Sequence, residues 1–160
     1  MTMITFDGGD IRFACRVAGI ALHEGRVLLH RAEDDDFWAL PGGRAELLEP
    51  SPETLRREML EELGAQVVVE RLLWVVENFF VYRERRFHEL GLYFLMRFSP
   101  SSPVLRHCTE PFDGYEGHIR LIYQWFPVAD LAQMRVYPSF LRQELGNLPT
   151  TTQHVVHTDV

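Results

Sequence analysis

Lysine is missing from this chain: all 16 basic residues are arginine, set against 23 aspartates and glutamates, for a formal charge of −7. No dense basic run exists either, which argues against general nucleic-acid binding. An anionic substrate would need the acidic field offset locally, by metal ions or by arginines focused in a cleft. Cysteine is nearly absent; Cys15 and Cys108 are too few for a disulfide framework and show no metal-ligand spacing. The start, "MTMITFDGGD", lacks the basic opening and apolar run of a secretion signal. No apolar stretch approaches the roughly 20 residues that cross a bilayer. These absences lead us to expect a soluble, reduced, cytoplasmic protein with no membrane partner.

What is present is globular. Hydrophobic residues make up 46% of 160 positions, enough for one domain and short for two. The pattern predicts a single domain over 1–160, with a core of about residues 12–146 and a C-terminal tail, 147–160, of no clear period. "IRFACRVAGIALHEGRVLLHRA", from residue 12, reads as two strands about a turn at His23-Glu24-Gly25. "EDDD" at 33–36 is a polar loop. "QVVVERLLWVVENFFVY" and "FHELGLYFLMRF" read as strands joined at "RERR", 83–86. Residues 99–118 form a long loop with three prolines and two glycines, and loops of that length are often functional. A last strand, "IRLIYQWFPV", precedes short helices at "ADLAQM" and at "YPSFLRQEL", 137–145. A helix amid strands implies an α/β fold, with helices packed on a mixed sheet.

That central helix breaks local rules. Ser51 suits an N-cap, Pro52 the first turn and Gly64 the stop. At 100° per residue, Leu55, Met59 and Leu63 lie within about 80° of one another, with Leu60 about 60° beyond, and form the expected buried stripe. Glu58, Glu61 and Glu62 form a second stripe beside it, about 100° wide, bordered by Arg57. Carboxylates spaced this closely repel. Two of them also occupy the last turn, where the helix dipole favours cations. Either the face is simply solvated, or a hard divalent cation such as Mg²⁺ or Mn²⁺ gathers the carboxylates. Gly42-Gly43, just upstream, allows the backbone to approach a ligand closely.

The spacing of the whole stretch resembles the Nudix box. Gly43 is followed after five residues by Glu49 and after seven more by Arg57-Glu58; Met59, Glu61-Glu62 and Gly64 complete the pattern. Ala65 stands where the family prefers a larger aliphatic residue, so packing there should be slightly weaker. The flanks "WALPGG", "WFPVADL" and "YPSFL" also look like the family's. The resemblance implies a Nudix fold, a mixed β-sheet sandwiched between α-helices. It further implies hydrolysis of a diphosphate linkage in a nucleoside diphosphate derivative, by water attacking phosphorus. By position, Glu58, Glu61, Glu62 and the Gly43 carbonyl would bind Mg²⁺ or Mn²⁺. Arg57 would hold the carboxylates in register, supported by Glu49.

The general base would be Glu62, or a group from the long loop, which offers Glu110, Asp113, Glu116 and His118; Glu116 is our choice. Arg31 and Arg44 are candidate phosphate contacts, each open to a plain surface ion pair instead. Trp38 could stack on a base, or simply pack in the core. For the substrate, the proline that marks ADP-ribose hydrolases is replaced by Phe80, and Tyr82 falls in the interval linked to dinucleoside polyphosphates. A nucleoside triphosphate and a nucleotide-sugar both stay open. Two further readings also stand: a nucleotide-binding sensor without turnover, and an RNA 5′-end pyrophosphohydrolase, which would need a basic track. A homodimer is compatible with the aromatic strands.

Overall fold

The computed structural model describes all residues from Met1 to Val160. Its strands are β1 (Thr5–Gly8), β2 (Ile11–His23), β3 (Arg26–Ala32), β4 (Gly42–Arg44), β5 (Val67–Tyr82), β6 (Arg85–Phe98), β7 (Phe112–Glu116), β8 (Ile119–Pro127) and β9 (Gln153–Thr158). Two α-helices, α1 (Ser51–Leu63) and α2 (Leu141–Glu144), accompany them. The main sheet runs β7-β8-β3-β2-β6-β5-β9, and β1 and β4 also pair with β2.

The two strong hairpins lie where turn chemistry puts them. Glu24-Gly25 and Arg83-Glu84 both have positive φ, the conformation a two-residue hairpin turn needs. The long strand β2 is the organising element. It runs parallel to β6 over 11 residue pairs, from Ile11↔Arg86 to Ala21↔Met96. Along its other edge, its last residues pair with β3 and its middle with β4. That edge therefore splits, and a cleft opens between the β3–β8 ribbon and β4.

Alternating side chains send two apolar layers to opposite faces of the sheet. On one face, Val17, Phe94, Met96 and Trp125 pack against Leu55 and Met59 of α1. On the other, Ile20, Leu29, Trp74 and Tyr93 meet Leu131, Val136, Leu141 and Leu145. The sandwich is as expected, but its second layer is slight. The segment 137–145 forms only a four-residue helix, and Val128–Gln133 is a 3₁₀ turn.

Four local expectations change. Ser51 is the first helical residue of α1 and not its cap; Pro50 precedes it, and its carbonyl accepts from Glu53 and Thr54 at 2.9 and 3.2 Å. Leu60 is 54% exposed, because the buried face of α1 is rotated to take in Thr54, Glu58 and Glu62, whose polar groups find partners. Residues beyond 146 add β9, parallel to β5, with the Ser139 hydroxyl bonded to both His157 and Asp159. The 99–118 segment is likewise structured in part, with a 3₁₀ turn at Pro103–His107 followed by β7.

Candidate active site

Gly64 ends α1 in the left-handed region at φ 64°, which glycine adopts without strain. The helix start faces β4, and a dense polar network joins the two. Arg57 is its centre. Its Nε and Nη2 donate to the two carboxylate oxygens of Glu49 at 2.8 and 3.1 Å, a bidentate pair. Its Nη1 reaches Glu58 at 2.8 Å and Glu61 at 3.3 Å, and Nη2 also donates to the Arg44 carbonyl at 3.2 Å. Thr54 donates to Glu49 at 2.6 Å from the other side. The Arg57 guanidinium holds the Glu49 carboxyl below the usual range. Glu49 and Arg57 thus brace Glu58 from behind.

Glu58 and Glu62 are both buried, one turn apart on α1. Tyr123, on β8, donates its hydroxyl to Glu62. Burial pushes the Glu62 carboxyl up to about 8, against the Tyr123 hydrogen bond, with the charges of Glu58 and Glu116 adding to the rise. Glu58 is raised as well, again by burial, and Arg57 opposes the shift. Two adjacent carboxyls raised by burial would be favoured in their ionised form by a positive charge placed beside them. Gly43 completes the cradle: a Cβ on it would lie 2.2 Å from Glu58 Cδ and 2.5 Å from both carboxylate oxygens. Only a glycine lets this carboxylate lie against the β4 backbone. Buried oxygen donors beside a bare backbone fit a hard divalent cation. The fit is not a finished cage, since no three acidic or histidine side chains converge. Glu61 is largely exposed and turned to Arg57.

The other candidates separate clearly. Glu116 ends β7, lines the cleft and acts through space on Glu62. Asp113 is taken up by Arg120 at 2.9 Å, and His118 lines the rim. Arg44 lines the same cleft, a cavity of about 980 Å³ that also reaches Gly43 and Glu58. Arg31 lines it too, but its Nη1 holds the 33–36 loop through the carbonyls of Glu33 and Asp35 at 3.1 and 2.9 Å. Trp38 packs edge-on against Phe126 at 4.7 Å, with Arg31 over its ring at 5.3 Å, and is not part of the cleft wall.

Sequence reasoning missed Arg16 and Tyr123. Arg16 stands opposite Arg44 in the β2–β4 register and donates to the Leu40 carbonyl at 2.8 Å. It lowers the Glu62 carboxyl through space, so it reaches the centre of the site. A charge inside the apolar run "FACRVAGI" was the available signal. Tyr123 gave none, since a tyrosine in a strand reads as core. Like charges directly opposite in a sheet are unfavourable. Arg16 and Arg44 together therefore make a receptive spot for an anion beside the two buried glutamates.

Comparison with known proteins agrees with this geometry. A family model, the NUDIX domain, matches residues 14–143. A "MutT-like protein" of Streptomyces ambofaciens is 47% identical over 64 residues, covering 39% of this chain and 41% of that protein. The chain spans less than half the length of the curated relatives it matches. A MutT NUDIX hydrolase from Burkholderia pseudomallei is 26% identical, with a TM-score of 0.56 over 81% of this chain and 95% of that one. A UDP-X diphosphatase shares the fold at 20% identity, with a TM-score of 0.61 over 89% of this chain and 66% of the other.

Proposed function

The chain belongs to the Nudix family, and from that premise we propose that it hydrolyses the diphosphate linkage of a nucleoside diphosphate derivative with the help of Mg²⁺ or Mn²⁺. The observation that carries the reading is the buried pair Glu58 and Glu62, cradled by Gly43 and braced by Arg57 and Glu49. Glu58, Glu61, Glu62 and the Gly43 carbonyl would hold the ion. Once bound, such an ion offsets the charge of a diphosphate and makes a water molecule more acidic.

The protein's own groups divide the remaining work. Arg57 fixes Glu58 and stays near enough to orient Glu61 when it turns inward. Arg16 and Arg44 present guanidinium groups to the phosphate oxygens, suited to bidentate contact. Tyr123 holds one Glu62 oxygen, which leaves the other free to point into the site. Glu116, at the rim and facing Glu62, takes the proton of the attacking water. Catalysis of this kind depends on positioning and charge stabilisation more than on covalent chemistry.

The RNA-end reading is the weaker one: Arg83, Arg85 and Arg86 pair with Asp35, Asp7 and Asp10, and the arginines that gather in one place, Arg12, Arg16, Arg44, Arg83 and Arg85, line a single cavity and not an extended track. The sensor reading has no lost glutamate to support it.

The test is a panel of nucleoside triphosphates, nucleotide-sugars, ADP-ribose and dinucleoside polyphosphates with Mg²⁺ and Mn²⁺, products identified by mass spectrometry. Repetition in ¹⁸O water shows which phosphorus is attacked. Glu61→Gln should keep the fold and lose metal-dependent turnover by several orders of magnitude. An unchanged rate would remove the metal assignment. Tight metal-dependent binding without turnover would make the protein a sensor.

A further inference from the structure

Five of the 16 arginines, Arg12, Arg16, Arg44, Arg83 and Arg85, line a second cavity of about 470 Å³, with Glu89 the one acid in its wall. This cavity adjoins the cleft and shares Arg16, Arg44 and Arg83 with it. In a chain of net charge −7, such a gathering runs against the overall field. Like charges held in one concavity repel each other and focus a positive potential there, which favours an anion.

Strand geometry brings them together. Side chains two positions apart share a sheet face. Arg12 and Arg16 of β2 therefore point the same way, as do Arg85 and Phe87 of β6. Arg12 lies opposite Phe87, and Phe87 opposite Phe80 of β5, against which its ring stacks at 5.0 Å. Arg83 comes from the hairpin turn and Arg44 from β4.

The acids that meet the outer arginines stand outside the cavity wall. Asp7 takes the Arg12 fork at 2.8 and 3.0 Å and reaches Arg85 at 3.4 Å, and Asp35 meets Arg83 at 3.4 Å. These pairs are partly exposed, and such pairs contribute little, so their arginines stay available to a second anion. The Arg16 guanidinium donates to the Leu40 carbonyl, and no carboxylate lies within ion-pair distance of it or of Arg44. Glu89 is buried and its carboxyl is raised by that burial, which reduces how much it subtracts from the positive field.

Spacing narrows the ligand. Arg12 and Arg16 are four residues apart, about 13 Å along the strand. The diphosphate belongs at the Arg16 end, beside Glu58 and Glu62. An anion at the Arg12 end, past the apolar rings of Phe80 and Phe87, suits a group separated from the diphosphate by a sugar ring better than the next phosphate of an unbroken chain. A phosphomonoester carries close to two charges and three acceptor oxygens, which arginine forks match.

We propose that the substrate carries a further phosphate on a sugar beyond the scissile diphosphate, received by Arg12, Arg83 and Arg85, a proposal that rests on the reading of the neighbouring cleft as the diphosphate site. Asp7 is then a positioning residue that aims two of the three guanidinium groups. Free inorganic phosphate and the end of a longer phosphate chain share this chemistry, and the experiment separates them.

Calorimetric titration of the metal-free protein with two matched pairs tests this without turnover: NADP⁺ against NAD⁺, and coenzyme A against 3′-dephospho-coenzyme A. The members of each pair differ by one phosphomonoester on a ribose, remote from the shared diphosphate. The phosphorylated member should bind about tenfold to a hundredfold more tightly, the range for one or two hydrogen bonds between charged groups. Arg12→Gln and Arg85→Gln should each reduce that ratio, and the double variant should bring it to about one. A melt of each variant checks folding, and the wild-type pairs decide alone if a variant does not fold.

Equal affinity within both pairs overturns the inference. So does stepwise tightening from ADP through ATP to adenosine tetraphosphate that is lost in Arg12→Gln, since that would assign the cavity to an unbroken chain. Inorganic phosphate that binds beside ADP without displacing it, with both pairs equal, overturns it in favour of a separate anion. Preference for the phosphorylated members in a protein that hydrolyses nothing would keep this inference and remove the proposed activity. Hydrolysis without that preference would do the reverse.

Discussion

Tyr123 donates its hydroxyl to Glu62 across the interior, from strand β8 to the last turn of helix α1. The two residues are 61 positions apart in the chain, and both are buried. This bond does for Glu62 what Arg57 does for Glu58: it holds one carboxyl oxygen and favours the ionised form against the cost of burial. The two glutamates are therefore gripped from opposite sides, by a cation on one and a neutral donor on the other.

Tyr123→Phe should expose that difference. The ring keeps its packing, but Glu62 loses its donor and its carboxyl rises further above the ordinary range. At pH 7 a smaller fraction would be ready to bind a cation. We expect kcat/KM to fall by about tenfold to a hundredfold, the range for groups that orient metal-binding side chains. The acid limb of the pH profile should move to higher pH. A profile that drops uniformly without shifting would mean that Tyr123 supports the site only through packing.

Arg57→Lys tests the brace on the other side. Lysine keeps the charge but offers no planar fork for the bidentate contact to Glu49, and it cannot also span Glu58 and Glu61. Activity should fall by about tenfold or more while the melting temperature moves by only a few degrees. Full activity in this variant would show that charge, and not geometry, is what the site requires.

Much of this arrangement was legible in the sequence, and the reasons are local. The glycine-to-glycine box located α1, its stop at Gly64 and the Glu58, Glu61 and Glu62 stripe, because helix periodicity and spacing are properties of one segment; only the cap, Pro50 in place of Ser51, differs. Hairpin turns at Gly25 and at Arg83-Glu84 were readable for the same reason. What escaped depends on contacts distant in the chain. Strand β9 is short and polar, with His154 and His157 on it, and it is a strand because the β5 edge receives it in parallel. Leu60 was placed inside by periodicity, but the cleft draws Glu58 and Glu62 inward and turns Leu60 out. Trp38 was open to base stacking or to core packing, and only its contact with Phe126, distant in the chain, decides for packing.

Gly43→Ala should act on the site more than on the fold. The added methyl would meet the Glu58 carboxyl at 2.2–2.5 Å, so the side chain must leave its place against β4. Overpacking of this sort costs roughly 1–3 kcal/mol. Metal-dependent turnover should fall by at least about a hundredfold, because both the carboxylate and the neighbouring carbonyl are displaced together. Isothermal titration with Mn²⁺ separates the causes. Weakened Mn²⁺ binding is the expected result, and unchanged binding would place Gly43 outside the metal site.

The buried glutamates also set how stability depends on pH in the metal-free protein. Glu62 is raised to about 8 when folded, so the folded state holds a proton that the unfolded chain, near the ordinary value of 4.5, has released. Stability from this group is complete below the unfolded value and is lost as pH rises through about 8. Glu58 and Glu89 are shifted in the same direction. His30 works the other way: burial holds it down to about 3, so it adds stability above the unfolded value of 6.5 and loses it as pH falls. Its influence ends near neutrality, which leaves the interval from about pH 6.5 to 8 to the glutamates. Melting of EDTA-treated protein should fall across that interval, by an amount on the order of a few kcal/mol in stability. Mg²⁺ or Mn²⁺ should restore more of it at pH 8 than at pH 6.5, because the cation takes the place of the proton. A melting temperature that stays level from pH 6.5 to 8, with and without metal, would mean that Glu58 and Glu62 are already ionised and have their charge compensated within the protein.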